Sequence, residues 1–268
     1  MSESKILHGK RAVIFGAGGS IGAAVAKEFA AEGAEVFLSG RTRSNVEAVA
    51  NQIKKAGGRA HEAVVDALDD ALVNTYLEAI SREHGPIDVE FNAVGPLASD
   101  YRNGTQAIEL GIDEFMLPVN TVLKSQFITA RSAVRHMIRQ GSGVIIFLTG
   151  SPARGHVEGA TAIGAAFGAV ETLTENLALE VGASGVRVVC LRTTANIDSR
   201  AISQTIDLLA AKANAPREQM IARMASFNFL KTPAMIRDTA RMAVLLASDR
   251  GRLLTATTIN STAGAAAD

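Results

Sequence analysis

The sequence predicts a doubly wound α/β fold: one seven-stranded parallel sheet with helices on both faces and a helical lid near 195–232. Three observations carry this. Short β-branched runs alternate with longer helix-patterned segments, the spacing of linked βα units. Several of the short runs are continuously apolar, as strands covered on both faces must be. A glycine-rich turn follows the first of them, where a strand hands over to a helix. The predicted strands are 11–15, 35–39, 60–65, 87–92, 143–149, 186–192 and 256–260. Helix-patterned segments lie near 20–32, 44–56, 69–84, 105–140, 160–182 and 233–248, and Pro118 is the point at which the long fourth one breaks. Segment 195–232 interrupts the rhythm with Leu208-Leu209-Ala210-Ala211 and Met220-Ile221-Ala222-Arg223-Met224, and it reads as a lid over the carboxyl ends of the strands. No Pro/Ser-rich linker or internal repeat divides the chain, so 1–268 is expected to form a single domain.

Composition narrows the function classes. With 47% hydrophobic and 20% charged residues, the 268-residue chain can bury a full core. Lys+Arg and Asp+Glu both number 27, so no net field recruits nucleic acid or an anionic membrane. There is no Trp and only two Tyr, which argues against stacking platforms for bases. No apolar run approaches the ~20 residues that span a bilayer. The lone cysteine, Cys190, sits in the apolar run Val186-Arg187-Val188-Val189-Cys190-Leu191 and is expected to be a buried thiol. No metal-ligand spacing is assigned. The expectation is a cytoplasmic protein with a small-molecule substrate.

The run Ala12-Val13-Ile14-Phe15 leads into Gly16-Ala17-Gly18-Gly19-Ser20-Ile21-Gly22. Glycines permit a tight turn and a close backbone approach, and the helix that follows offers unpaired N–H groups to a pyrophosphate. The second strand ends in Ser39-Gly40-Arg41-Thr42-Arg43. An acid there would accept hydrogen bonds from the adenosine ribose. Two arginines stand in its place, which suits a 2′-phosphate and so NADP(H) over NAD(H). The competing reading makes Arg41 and Arg43 solvated loop charges.

From Leu7 to about Ile259 the chain resembles the classical short-chain dehydrogenase/reductases, a Rossmann-type family. The family's Thr-Gly-x3-Gly-x-Gly loop appears with Phe15 for Thr and Ser20 for the middle glycine. Asp66, followed by Ala67, matches the acid that contacts the adenine amino group. Asn92-Ala93-Val94-Gly95 stands for Asn-Asn-Ala-Gly, and Val186-Arg187-Val188 and Leu246-Ala247-Ser248-Asp249 fit the late strand and helix. The resemblance implies cofactor contacts at Gly16, Gly18, Gly19, Ser20, Ile21, Arg41, Asp66, Ala67, Asn92, Ala93 and Gly95. It also implies a homo-tetramer or homo-dimer built through the helices near 112–140 and 160–182.

The catalytic residues depart from the pattern. Family members use a serine after the fifth strand and a Tyr-x3-Lys pair on the next helix. Aligning Leu177-Ala178-Leu179-Glu180 puts the tyrosine at Ile163, the lysine at Phe167 and the serine at Gly150. No Tyr or Lys occurs between Lys124 and Lys212, so no shift of register restores them. Thr193-Thr194 replaces the later Pro-Gly, and Thr262-Ala263-Gly264 the terminal Asp-Gly-Gly. The family's helical asparagine has one candidate, Asn120. Counting back from Gly150 lands nearer Val122, and two residues turn a helix by about 200°. Substitute proton donors are His156, the natural acid near neutral pH, Ser151, and Tyr101. Tyr76 reads as core, and Glu171 and Glu175 as a solvated or interface face. The helix from Ala160 to Ala169 is rich in small residues, with glycines at 164 and 168 that cost an isolated helix ~1 kcal/mol each, so close packing must offset them.

Three functions fit. The first is an NADP(H)-dependent reductase with a non-standard proton donor or none, acting on a small hydrophobic carbonyl, imine or activated alkene. The second is a catalytically silent NADP-binding subunit. The third is non-redox chemistry in a pocket that keeps the loop as a relic.

Overall fold

The computed structural model describes residues 5–155 and 157–268. Seven parallel strands form one sheet in the order β3-β2-β1-β4-β5-β6-β7. They are β1 (Arg11–Phe15), β2 (Glu35–Gly40), β3 (Arg59–Val64), β4 (Val89–Asn92), β5 (Gly143–Gly150), β6 (Val186–Thr193) and β7 (Thr257–Ser261). The helices are α1 (Ser20–Ala31), α2 (Arg43–Lys55), α3 (Asp70–Glu83), α4 (Ile112–Pro118), α5 (Lys124–Gln140), α6 (Thr161–Val181), α7 (Arg200–Ala213), α8 (Arg217–Ser226) and α9 (Ile236–Ala247).

Strand alternation divides the core in two. Ala12, Ile14, Val36 and Leu38 point to one face with Val25 and Phe29 of α1, Val46 and Ile53 of α2, and Ala243 and Val244 of α9. Val13, Phe15 and Phe37 point to the other with Leu77 of α3, Ala133 and Met137 of α5, and Ile163 and Val170 of α6. Each fully buried Phe or Leu contributes about 2–3 kcal/mol. Strands buried on both faces account for the continuous apolar runs.

The sequence places the elements well but not every boundary. The long fourth segment does not start at 105: residues Ala107–Glu109 make a 3-10 turn, and α4 begins only at Ile112. Pro118 does not end the helical path either. A π turn over Val119–Leu123 joins α4 to α5 and absorbs the N–H that proline lacks. Segment 195–232 resolves into α7 and α8. Ser199 caps α7 by accepting from the Ile202 N–H at 3.3 Å. The Arg200 N–H donates to Ser20 Oγ at 3.1 Å, which seats the lid against the glycine loop at the carboxyl end of β1.

Candidate active site

The glycine loop after β1 is built from close approaches that only glycine allows. Gly16 has φ +73°, and a Cβ there would meet the Ala93 carbonyl carbon at 2.9 Å. A Cβ on Gly22 would lie 2.4 Å from Gly16 O, and one on Gly18 2.9 Å from Asn45 Cβ. The Gly19 N–H donates to Gly16 O at 3.0 Å and tightens the turn. No side chain caps α1 and no acid sits in its first turn, so its leading N–H groups, at Ser20 and Ile21, are left for an anion. These residues fit a dinucleotide pyrophosphate. Around them, Arg41, Thr42 and Arg43 are exposed at the start of α2, and Arg43 pairs with Glu47 at 3.4 Å. Asn45, which closes against Gly18, was not singled out by sequence reasoning. Its contact depends on how α2 packs, and no local signal announces it.

Asp66 is half-buried beyond β3, its carboxylate accepting the Leu68 N–H at 3.0 Å, and Ala67 is buried beside it. Asn92 is buried and fully used. Its amide donates to Thr129 Oγ1 at 2.9 Å, and its carbonyl oxygen accepts the Val94 N–H at 2.8 Å. It therefore shapes the turn that carries Ala93 and Gly95.

The end of β5 is held by a residue that the sequence did not reveal. β4 pairs with β5 only as far as Phe91 and Ile146, leaving Leu148 without a strand neighbour on that side. Gln126 of α5 replaces it, donating to Leu148 O at 2.9 Å and accepting the Leu148 N–H at 3.1 Å. A buried glutamine on a helix face is the only hint available beforehand.

At the end of β5, apolar side chains stand at the positions where the resemblance puts the tyrosine and the lysine. Ile163 is buried, and the half-buried Phe167 ring packs against the same cluster. A Cβ on Gly150 would lie 2.9 Å from Phe167 Cε2. The ring fills the space a side chain at 150 would need. Gly164 lies one turn earlier, where a Cβ would meet Pro152 O at 2.8 Å, which explains one of the two helix glycines.

The substitute donors fare differently. Ser151 is buried, with its Oγ 3.4 Å from Thr194 Oγ1. Tyr101 is buried, and burial pushes its phenol up to about 12, the wrong direction for an acid. Asn120 lies in the π turn and is exposed, whereas Val122 is buried with Cγ2 3.8 Å from the Cβ position of Gly95. Val122, the residue nearer which the count back from Gly150 lands, is thus the one beside Gly95, and Asn120 is exposed. His156 lies outside the described residues. Tyr76 is core, packed edge-on against Phe15 at 6.2 Å.

Glu171 needs correction. It is not a solvated face residue: it is 2% exposed and lies under the end of β5. Arg192 Nε and Nη2 donate to its two oxygens at 2.7 and 2.8 Å, Arg154 Nε donates at 3.2 Å, and Thr149 Oγ1 at 3.3 Å. Arg192 also donates to Asp268, and that bond is the main reason the Asp268 carboxyl is held below its usual range. Glu175 is exposed as expected. Cys190 is buried beside this network, and burial pushes its thiol up to about 12.

A family model described as short chain dehydrogenase matches residues 10–204. The short-chain reductase protein NovJ of Streptomyces niveus is 29% identical over 253 residues, covering 94% of this chain and 92% of that one. A gluconate 5-dehydrogenase of Gluconobacter oxydans is 31% identical over 187 residues, covering 68% and 69%. Among solved structures, a gluconate 5-dehydrogenase from Burkholderia cenocepacia in complex with NADP and tartrate superposes with a TM-score of 0.86 at 21% identity, covering 98% of this chain and 97% of that one.

Proposed function

The chain belongs to the short-chain dehydrogenase family, and from that premise we propose that it is an NADP(H)-dependent reductase that works without the family's tyrosine and lysine. Its substrate in this reading is a small hydrophobic imine, activated alkene or carbonyl. The observation that carries the reading is the pairing of an intact cradle with a filled catalytic position. Gly16, Gly18 and Gly22 admit the dinucleotide, while Phe167 occupies the space beside Gly150. A bound nicotinamide dinucleotide supplies hydride to an electrophilic carbon. Gly16, Gly18, Gly19, Ser20 and Ile21 would hold the pyrophosphate, Asp66 and Ala67 the adenine, and Asn92, Ala93 and Gly95 the strand end beneath it. Arg41 would take the 2′-phosphate.

Ile163 and Phe167 would wall the reacting centre with hydrocarbon. They cannot move a proton. General acid help contributes about 10²–10⁴-fold, and orientation alone can contribute more. A cationic iminium carbon, or a polarised C=C bond protonated afterwards by water, tolerates that loss better than a ketone. In this reading Ser151 Oγ, 3.4 Å from Thr194 Oγ1, would hold a substrate heteroatom.

The same filled site supports a second reading, a silent NADP-binding subunit. In both readings the chain is one cytoplasmic domain; the single sheet that spans residues 11 to 261 supports the one-domain part of that reading. It assembles through α5 and α6, where Phe127 and Leu179 are exposed and Gly168 has open space above it. Titration with NADPH and NADH, followed by nicotinamide fluorescence, tests the premise, and micromolar NADPH binding is expected. Stopped-flow oxidation of bound NADPH by imines, enones and ketones then separates the readings. Turnover of imines or enones supports the reductase. Binding with no turnover supports the silent subunit, and no binding of either nucleotide overturns both.

A further inference from the structure

At the far end of the sheet from the glycine loop, three side chains converge that the cofactor site does not use. Glu35 opens β2, His61 lies in the edge strand β3, and His84 ends α3. One ligand atom from each lies within 4.8 Å of the others. Glu35 Oε1 is 2.8 Å from His61 Nε2 and 3.8 Å from His84 Nδ1. Phe37 positions both imidazoles: the His61 ring stacks on it at 4.8 Å and 10°, and the His84 ring meets it edge-on at 4.8 Å. Burial pushes the Glu35 carboxyl up, but the His61 bond and the charges of Arg59, His61 and His84 together outweigh it and hold the group below its usual range. The acid lies half-buried between the two imidazoles.

We propose that Glu35, His61 and His84 form a binding site for a divalent transition-metal ion of the zinc class, unrelated to the dinucleotide. Two imidazole nitrogens and one carboxylate oxygen are the donor set that borderline ions take, with a fourth position left to water. Bonds of ~2.0 Å in a tetrahedron put donor atoms about 3.3 Å apart. The separations of 2.8 and 3.8 Å from Glu35 Oε1 bracket that value, and the two imidazole nitrogens lie within 4.8 Å of each other. The His61 and His84 side chains remain 43% and 30% exposed, which leaves the ion an entry path. A bound ion would tie the two outer strands to the end of α3. Two arginines oppose it: Arg59 Nη1 is 3.8 Å from Glu35 Oε2, and Arg11, in register with Glu35 on β1, rests on the Pro86 carbonyl. The site is thus expected to bind in the micromolar range rather than more tightly.

The test is a calorimetric titration of chelator-treated protein with Zn²⁺ alone, alongside thermal melts. One saturable equivalent and a raised melting temperature are expected. His61→Gln and His84→Gln should each weaken binding by at least about ten-fold, the usual loss when a ligand-sphere group goes. His136→Gln, on α5 and outside the cluster, should leave it unchanged. Arg59→Gln removes a neighbouring cation and should tighten binding by about five-fold, a gain that misfolding cannot produce. Absence of saturable Zn²⁺ binding, or binding that His61→Gln and His84→Gln leave intact, overturns the proposal.

Discussion

Gly150→Ser would restore the family's hydroxyl at its own position, and the structure predicts that it will not be accepted quietly. The backbone at Gly150 is extended, with φ −132° and ψ 166°, so a side chain brings no conformational strain. The cost is steric alone. The new Cβ would stand 2.9 Å from Phe167 Cε2 and 3.4 Å from Pro152 Cδ. Phe167 must rotate or shift by several tenths of an ångström, and overpacking of this kind costs about 1–3 kcal/mol. At this chain length each kcal/mol lowers the melting temperature by about 2–4 °C. Phe167→Ala removes a half-buried ring and should itself cost about 1–3 kcal/mol. The two changes share one space, so they should not add. Gly150→Ser/Phe167→Ala should be more stable than the sum of the single variants by about 1 kcal/mol or more. Urea unfolding of the four proteins measures this coupling directly. A neutral Gly150→Ser, or single effects that simply add, would refute the claim that Phe167 fills the serine's place.

Four more predictions concern other parts of the molecule. Glu171→Gln should cost about 3 kcal/mol in urea unfolding, because it weakens a buried pair with Arg192, and Glu171→Leu/Arg192→Met should cost less than its two single changes together. Glu90 is buried with neither carboxyl oxygen paired, and burial pushes it up to about 8. The unfolded chain releases this proton near pH 4.5 while the folded chain keeps it to about 8, so Glu90 lowers stability progressively as pH rises between those values. Glu90→Gln should therefore flatten the pH dependence of the melting temperature over that window, and an unchanged slope would count against the buried neutral acid. In the cradle, Gly22→Ala places a methyl 2.4 Å from Gly16 O and should abolish nucleotide binding. Arg41→Ala should weaken NADPH by about ten-fold and leave NADH unchanged, the size of one lost charged hydrogen bond.

Much of the fold was legible because its signals are local. Strand and helix periodicity, the glycine loop and the β-branched runs all act within one element, and six of the seven strands begin or end within a residue of their predicted bounds at both ends. The exception is β4, which starts at Val89 rather than 87. Where local rules met packing, they slipped. Pro118 suggested a break, but α4 and α5 continue through a π turn. Glu171 and Glu175 share a helix and a spacing, yet one is exposed and the other buried, because only Glu171 lies against Arg192 of β6. Asn120 and Val122 are two residues apart, and the helix path alone decided which faces Gly95.

By itself the sequence determined the doubly wound sheet, the glycine loop after β1 and the absence of any tyrosine or lysine between Lys124 and Lys212. The last is a matter of residue identity: no folding can supply a tyrosine or a lysine to a segment that contains neither. The tertiary structure decided what took their place. That Phe167 covers Gly150, that Gln126 completes the end of β5, and that Glu35, His61 and His84 meet at the sheet's outer edge are contacts between elements distant along the chain. Such contacts depend on the distance and rotation at which helices pack on a sheet, and a few tenths of an ångström there decide them. Periodicity within one element carries no record of that spacing.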